Sequence, residues 1–359
     1  MKLTDVLAEI LKKNSINQVF GLQGGAVVHI FDSLEKYKFK VTYTNHEESA
    51  ALAATSNAKI NDNVGCAVVT TGPASTNAIT GLLAAWQDSI PCLFISGQAR
   101  STHVSYGKKV RQVGTQEVNI CDIVRPITKY TKFISNKESF VFEVNKAISI
   151  AKEGRPGPVW LDLPLDLQWS DIKFDKKKIK KIYVNIKPKI TKSKLQLSIK
   201  LINQSKHPLL VLGYGVRSSY NSISKVKKFI LSKKIPFVTT WTGSDLISTK
   251  NKFNLGIIGM SGQRGANKAV FNSDLLLCLG THLSIPQTTT LTENYARNSK
   301  KIIVNIDKNQ LNNLSIKFNC KINGDIGNYL ELLNLKKIKK FYWTNLDKFK
   351  KMNWYLPKK

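Results

Sequence analysis

Three short segments combine glycine, acidic and amide residues in an arrangement that could hold a cofactor. They are residues 21–26 (GLQGGA), 45–48 (NHEE) and 70–77 (TTGPASTN). Glycines in such loops let the backbone approach a ligand closely and present N–H groups at the start of a helix. Each segment alone also fits a structural role, because glycines make tight turns and acids favour a helix N-terminus. Their order and spacing along the chain are more specific than any single segment.

The elements around these segments alternate between strands and helices. Apolar runs predict strands over residues 18–22, 40–44, 65–70, 92–97 and 158–163, and amphipathic patterns predict helices over 3–13, 27–37, 48–60, 77–87 and 140–153. Strands that are apolar on both faces and alternate with helices indicate a parallel sheet covered on both sides. The three segments then follow three successive strands, at the sheet edge where open α/β sheets bind ligands.

A second unit of the same kind follows a lysine-rich stretch. Helices are predicted over 195–204, 222–233, 265–272 and 326–335, with strands over 208–213, 236–240, 275–280 and 301–306. The fold class is therefore α/β, with two doubly wound parallel-sheet domains. We expect these domains over residues 1–169 and 194–336, joined by a basic linker (170–193) and followed by a basic aromatic tail (337–359).

Composition excludes several other classes of protein. No apolar run approaches the ~18 residues of a membrane span, and acids and lysines interrupt the N-terminal apolar stretch, so the cytoplasm is the expected location. The net charge of +31 arises from 55 basic residues against 24 acidic ones. Of the basic residues 48 are lysines and only seven are arginines, which favours a solvated lysine surface over specific nucleic-acid recognition. The five cysteines form no C-x-x-C pair, so neither a zinc site nor a redox motif is predicted.

Longer runs around the three segments carry a family resemblance. The runs VFGLQGGAVVHIFDSL, NHEESAALAA, TTGPASTNAITGLLAAWQDSIPCLFISGQ, GTQEV and GRPGPVWLDLPLDLQ resemble the pyrimidine-binding domain of thiamine-diphosphate enzymes, in the acetolactate-synthase-like branch. Residues 191–335 are similar to the Rossmann-like central domain of that family. The resemblance implies an enzyme, a transferase or lyase that makes or breaks a C–C bond of a 2-keto acid with thiamine diphosphate.

The resemblance also implies roles for individual residues. Glu47 matches the catalytic glutamate that hydrogen-bonds N1′ of the cofactor's aminopyrimidine and so promotes loss of the thiazolium C2 proton. The matching cofactor-binding positions are Gly24, Gly25 and Ala26 near the thiazolium, Gly72, Pro73 and Asn77 around the pyrimidine, and Gln116, which would face a site across a dimer interface. His46 and Glu48 fit either supporting or structural positions.

Three positions depart from the family pattern. Gln23 replaces a proline, Thr115 replaces a phenylalanine, and Ala74 replaces a glycine, so the backbone at position 74 must avoid positive φ. These changes point away from housekeeping acetolactate synthesis and towards a different 2-keto acid.

Acetolactate synthases also hold FAD in the central domain, which suggests a second set of positions. The matching residues are Arg155, Gly262, Arg264, Asn267 and Asp307. Because the arginine-containing segment of the family is GTHL here, a purely structural central domain is favoured over a flavin-binding one. A nucleotide-dependent oxidoreductase is disfavoured, since no G-x-G-x-x-G follows the first strand.

The diphosphate-binding signature of the family, G-D-G followed by N-N, is not found in the sequence. The only G-D pair, Gly324 and Asp325, lies in the expected central domain. We therefore expect no metal ligands in this chain, with Mg²⁺ and the diphosphate held by a missing domain or a partner chain in a homodimer or heteromeric complex. The alternative is a truncated, non-catalytic or regulatory homologue that dimerises with a full-length enzyme.

Overall fold

The computed structural model describes residues 1–174, 187–218, 221–290, 292–344 and 346–353. The chain folds into two compact units, Met1–Asn185 and Ile186–Lys359. The middle of the predicted linker, residues 175–186, and the end of the predicted tail, residues 354–359, lie outside the described residues.

The first unit contains a six-stranded sheet in which every pair of neighbouring strands is parallel. Its strands are β1 (Gln18–Gly21), β2 (Lys40–Tyr43), β3 (Gly65–Val69), β4 (Cys92–Gln98), β5 (Tyr130–Phe133) and β6 (Val159–Pro164). The spatial order is β2-β1-β3-β4-β6-β5. Five of these strands match the predicted ones to within one residue at each end, and β5, at the sheet edge, was not predicted.

Helices connect these strands and cover the sheet. They are α1 (Leu3–Lys13), α2 (Val28–Lys36), α3 (Glu47–Asn61), α4 (Pro73–Asn77), α5 (Ile79–Asp88), α6 (Ile120–Val124), α7 (Phe140–Lys152) and α8 (Leu165–Gln168). The helix predicted over 77–87 corresponds to α5, which begins two residues later, and the short helix α4 that precedes it was not predicted. Ala74 lies within α4, and so avoids positive φ as its side chain requires.

The central strands of this sheet are buried on both faces. Every residue of β3 and β4 is buried, as expected for parallel strands covered by helices on both sides. One core cluster packs α1, α2 and α7 against the sheet and includes Leu7, Phe31 and Phe140. Burial of these apolar faces leaves the strand ends and their loops as the accessible edge of the unit.

The second unit has a six-stranded parallel sheet of its own. Its strands are β7 (Pro208–Leu212), β8 (Phe237–Thr239), β9 (Asn254–Ile257), β10 (Leu275–Leu279), β11 (Lys300–Asn305) and β12 (Cys320–Asn323), in the order β12-β11-β10-β7-β8-β9. The helices are α9 (Lys192–Gln204), α10 (Ser222–Lys233), α11 (Arg264–Asn272), α12 (Ile285–Thr288), α13 (Lys308–Asn312), α14 (Ile326–Asn334) and α15 (Leu346–Asn353). The edge strands β9 and β12 and the helices α12, α13 and α15 were not predicted. The prediction of two doubly wound α/β domains is confirmed.

Alternate residues of the central strands supply two separate cores in this unit. Along β10, Leu275, Leu277 and Leu279 belong to one apolar cluster, and Leu276 and Cys278 belong to the other. This division follows from the two-residue period of a strand, which sends successive side chains to opposite faces. No helix within the described ranges is long and apolar enough to cross a membrane.

Candidate functional site

The second and third segments meet through a buried carboxylate in the first unit. Glu47, the first residue of α3, is only 7% exposed. Its Oε2 accepts a hydrogen bond of 3.0 Å from Asn77 Nδ2. Asn77 ends α4, whereas the sequence suggested that it begins the following helix. The structure therefore places the predicted catalytic acid beside a predicted cofactor-binding amide, 30 residues away along the chain.

The local sequence explains why α3 begins at Glu47. His46 has extended backbone, and its Nδ1 accepts a hydrogen bond from the Glu48 backbone N–H at 3.2 Å. The Thr44 hydroxyl donates to the His46 carbonyl oxygen at 2.8 Å. Side-chain acceptors at this position satisfy N–H groups that the first turn of a helix leaves free. His46 thus caps the helix and directs the next residue, Glu47, into the interior.

The first segment packs against the third. The Ala26 backbone N–H donates to the Thr70 hydroxyl at 3.2 Å. A Cβ on Gly24 would lie 2.5 Å from Thr70 Cγ2, so only glycine fits there without movement of Thr70. A Cβ on Gly25, in contrast, would meet nothing within 4 Å. The loop is therefore held on the Gly24 side and open on the Gly25 side.

The third segment turns sharply at Gly72. This residue has a φ of +69°, which glycine adopts at little cost, and Pro73 then occupies the first turn of α4. A Cβ on Gly72 would lie 2.3 Å from the carbonyl oxygen of Gln116. Gln116 itself has a positive φ of 59°, uncommon for a residue with a side chain. The turn and the Gln116 backbone are thus in close contact, while the Gln116 residue as a whole is exposed.

Two buried polar residues beside this turn were not predicted from the sequence. Gln98, the last residue of β4, and Asp162, in β6, are both fully buried, and Gln98 Nε2 donates to Asp162 Oδ2 at 2.9 Å. Asp162 also accepts from the Ser96 hydroxyl at 2.6 Å and from the Tyr106 hydroxyl at 3.0 Å. Burial raises the pKa of Asp162 to about 7, against the effect of these donors. The sequence signal for both residues is a polar side chain in an otherwise apolar strand, Gln98 in ISGQ and Asp162 in VWLDLP.

The positions matched to a flavin site have other contacts. Arg155 lies in the first unit, where its Nε donates to the Ser89 hydroxyl at 2.8 Å. In the second unit, the Asn267 amide donates to and accepts from the Gly259 backbone, at 2.9 and 3.0 Å, and so closes the loop that contains Gly262. Asp307 caps α13 by accepting from the Gln310 N–H at 3.1 Å.

The start of α11, which contains Arg264, is covered by the helix α15. The Asn353 Oδ1 atom accepts from the Gly265 N–H at 2.8 Å and from the Ala266 N–H at 3.3 Å. A Cβ on Gly265 would lie 1.9 Å from the Phe349 carbonyl oxygen. The N–H groups that would otherwise face a phosphate are therefore engaged within the unit, and this flavin set does not form an open cradle. Among the described residues, no three His, Cys, Asp or Glu side chains cluster as metal ligands would.

Two models of one protein family match this chain. Residues 1–123 match the N-terminal TPP binding domain of thiamine pyrophosphate enzymes, and residues 195–333 match the central domain of the same enzymes. The two matches together cover more than half of the chain, which therefore belongs to the thiamine pyrophosphate (thiamine diphosphate) enzyme family. This confirms the resemblance seen in the sequence.

Individual relatives narrow the branch of the family. The chain is 30% identical to the acetolactate synthase large subunit of Haemophilus influenzae, over 96% of this chain and 61% of that protein. It is 34% identical to the acetolactate synthase large subunit of Cyanidium caldarium, over 88% of this chain and 55% of that protein. A probable acetolactate synthase large subunit of Methanocaldococcus jannaschii is 32% identical, over 92% and 55% respectively. The chain thus spans about three fifths of the length of the curated relatives it matches.

Proposed function

We propose that this chain supplies the aminopyrimidine half of a thiamine-diphosphate site, in an enzyme that forms or breaks a C–C bond of a 2-keto acid. Glu47 is the cofactor-activating acid in this proposal. The observation that supports it best is the burial of the Glu47 carboxyl group at the carboxyl edge of the sheet, held by Asn77 at 3.0 Å. An acid placed only to favour the helix N-terminus would gain nothing from losing its contact with water.

The residues around Glu47 fit a planar heterocycle with ring nitrogens. The Asn77 amide orients the carboxyl group, so that Glu47 can hold a proton at a ring nitrogen in a site where water competes little. The Gly72 turn brings backbone close to the same edge, and the open side of Gly25 leaves room for a ligand. Thiamine diphosphate supplies the carbanion-stabilising chemistry when bound, and the protein supplies orientation and the proton.

In this proposal, other groups complete the site around Glu47. Mg²⁺ and the diphosphate would be held by a diphosphate-binding domain, and the exposed Gln116 would reach towards the site of a second subunit in a homodimer. FAD is not part of the proposal, since Asn267 and the start of α11 are engaged in contacts of their own.

Exchange of the cofactor's C2 proton with deuterium tests the role of Glu47 directly. The chain is mixed with thiamine diphosphate and Mg²⁺, alone and with the diphosphate-binding domain of a homologous acetolactate synthase, and exchange is followed by NMR. We expect Glu47→Gln to slow exchange by roughly 10²–10⁴-fold, the usual contribution of general acid–base catalysis. Glu48→Gln is the matched control, because only the Glu48 backbone N–H takes part in the helix cap.

Two results would contradict the proposal. Wild-type exchange rates in Glu47→Gln would remove the assigned role from this acid. Failure of the wild-type chain to accelerate exchange with any diphosphate-binding partner would instead favour the regulatory homologue.

A further inference from the structure

The amide of Gln98 uses all of its hydrogen-bonding capacity within the first unit. Its Nε2 donates to the Val118 carbonyl oxygen and to Asp162 Oδ2, each at 2.9 Å. Its Oε1 accepts from the Thr71 hydroxyl and from the Ala99 backbone N–H, each at 2.9 Å. An amide has two donors and one acceptor oxygen with two lone pairs, so no capacity is left over.

The neighbouring acceptor of Val118 fixes which way this amide points. The Val118 carbonyl oxygen can only accept, so the Gln98 NH₂ group must face it and Asp162 beside it, and the Gln98 oxygen must face Thr71. Reversing the amide would place its oxygen against the Val118 carbonyl oxygen. The orientation of the Gln98 side chain is therefore set by Val118 and by β6, the neighbour of β4 on the side opposite β3.

The same amide links two segments beside the Gly72 turn. The Thr71 hydroxyl lies 2.9 Å from Gln98 Oε1 and 3.3 Å from the Gln116 carbonyl oxygen. Gln98 thus binds Val118 through its Nε2 donor and Thr71 through its Oε1 acceptor. Between these two attachments lies Gln116, with its positive φ of 59°. A conformation of this kind persists only when its surroundings hold it.

We propose that Gln98 is a positioning residue that holds the segment 116–118 against Thr71, and thereby fixes the Gln116 backbone on the Gly72 turn of the proposed cofactor site. The identity of the ligand at that site rests on the proposed function. The positioning itself is a property of the free chain and can be measured without the cofactor.

Hydrogen–deuterium exchange of the whole chain, read by mass spectrometry over peptides covering residues 113–119, measures this positioning. Gln98→Met keeps the length of the side chain and removes its four hydrogen bonds, so we expect exchange in this segment to rise about tenfold. Ser96→Ala is the matched control. It removes a donor to the same Asp162 carboxylate but leaves Thr71 and Val118 untouched. We expect wild-type exchange over residues 113–119 in this variant.

A second pair of variants distinguishes the positioning of residues 116–118 from a loss of packing. These variants test the proposal even if Gln98→Met does not fold. Thr71→Val removes the hydroxyl at constant shape and should raise exchange over residues 113–119, while Thr71→Ser should restore protection. Unchanged exchange in Gln98→Met, or an equal rise in Ser96→Ala, would overturn the inference, as would Thr71→Val behaving like Thr71→Ser.

Titration with thiamine diphosphate and Mg²⁺, in the presence of a homologous diphosphate-binding domain, adds a functional measurement. We expect Gln98→Met to weaken binding about tenfold, and wild-type affinity in this variant would count against the inference. Absence of binding to the wild-type protein would refute the proposed function, and hydrogen exchange alone would then decide the role of Gln98.

Discussion

The buried carboxyl group of Asp162 should make the stability of the first unit depend on pH. Its pKa is raised from 3.8 to about 7 by burial. Between these values the unfolded chain has released the proton while the folded chain retains it. The stabilising contribution is therefore complete below about pH 4, falls as the pH rises through 7, and is absent above that.

The size of this effect follows from the shift in pKa. At about 1.4 kcal/mol per pH unit, the free energy of unfolding should fall by about 2.5 kcal/mol between pH 5 and pH 8 on account of this one group. Asp162→Asn cannot titrate and should lack this part of the pH dependence, whatever its absolute stability.

Urea denaturation followed by tryptophan fluorescence at a series of pH values measures both quantities. Asp88→Asn provides the control, because the Asp88 carboxyl group is 46% exposed and the substitution removes an acid without altering a buried carboxyl group. Parallel pH profiles for the wild-type chain and Asp162→Asn would show that Asp162 does not retain its proton, and the reasoning from burial would be wrong.

Two further predictions concern glycine and cap positions. Gly24→Ala should destabilise the first unit by about 1–3 kcal/mol, because the new Cβ would collide with Thr70, whereas Gly25→Ala should leave stability unchanged. Thermal denaturation of both variants tests this difference, and equal losses of stability would contradict it. Asn353→Ala should lower the free energy of unfolding by about 1 kcal/mol and speed hydrogen exchange at the Gly265 N–H, since it removes the acceptor at the start of α11. Unchanged exchange at Gly265 would contradict the assignment of Asn353 as the cap.

Much of the fold could be predicted because its central elements carry strong periodic patterns. The helices α1 and α10 begin and end at the predicted residues, and the buried strands β3 and β10 were found to within one residue. The strands that were not predicted, β5, β9 and β12, all lie at sheet edges. An edge strand is covered less completely and mixes polar with apolar residues, so its sequence resembles that of a loop.

The candidate site was predictable only as far as local motifs extend. Glu47 and Asn77 stand in recognisable segments, but the hydrogen bond between them depends on two loops meeting at one sheet edge. Gln98 could not be assigned, since its partners Thr71, Val118 and Asp162 lie 27, 20 and 64 residues away. Single-sequence reasoning detects periodicity and spacing, whereas contacts of this kind are created by the tertiary fold.

The return of α15 onto α11 affects how the second unit should be expressed as a recombinant fragment. A boundary at residue 333, where the family match ends, would strip away Trp343 and Phe349, which pack against one of the two cores. The fragment would then present a newly exposed apolar surface and uncapped helix donors to solvent, a combination that promotes aggregation. A fragment that continues through Asn353 retains this cover and should remain monodisperse at concentrations where the shorter one precipitates.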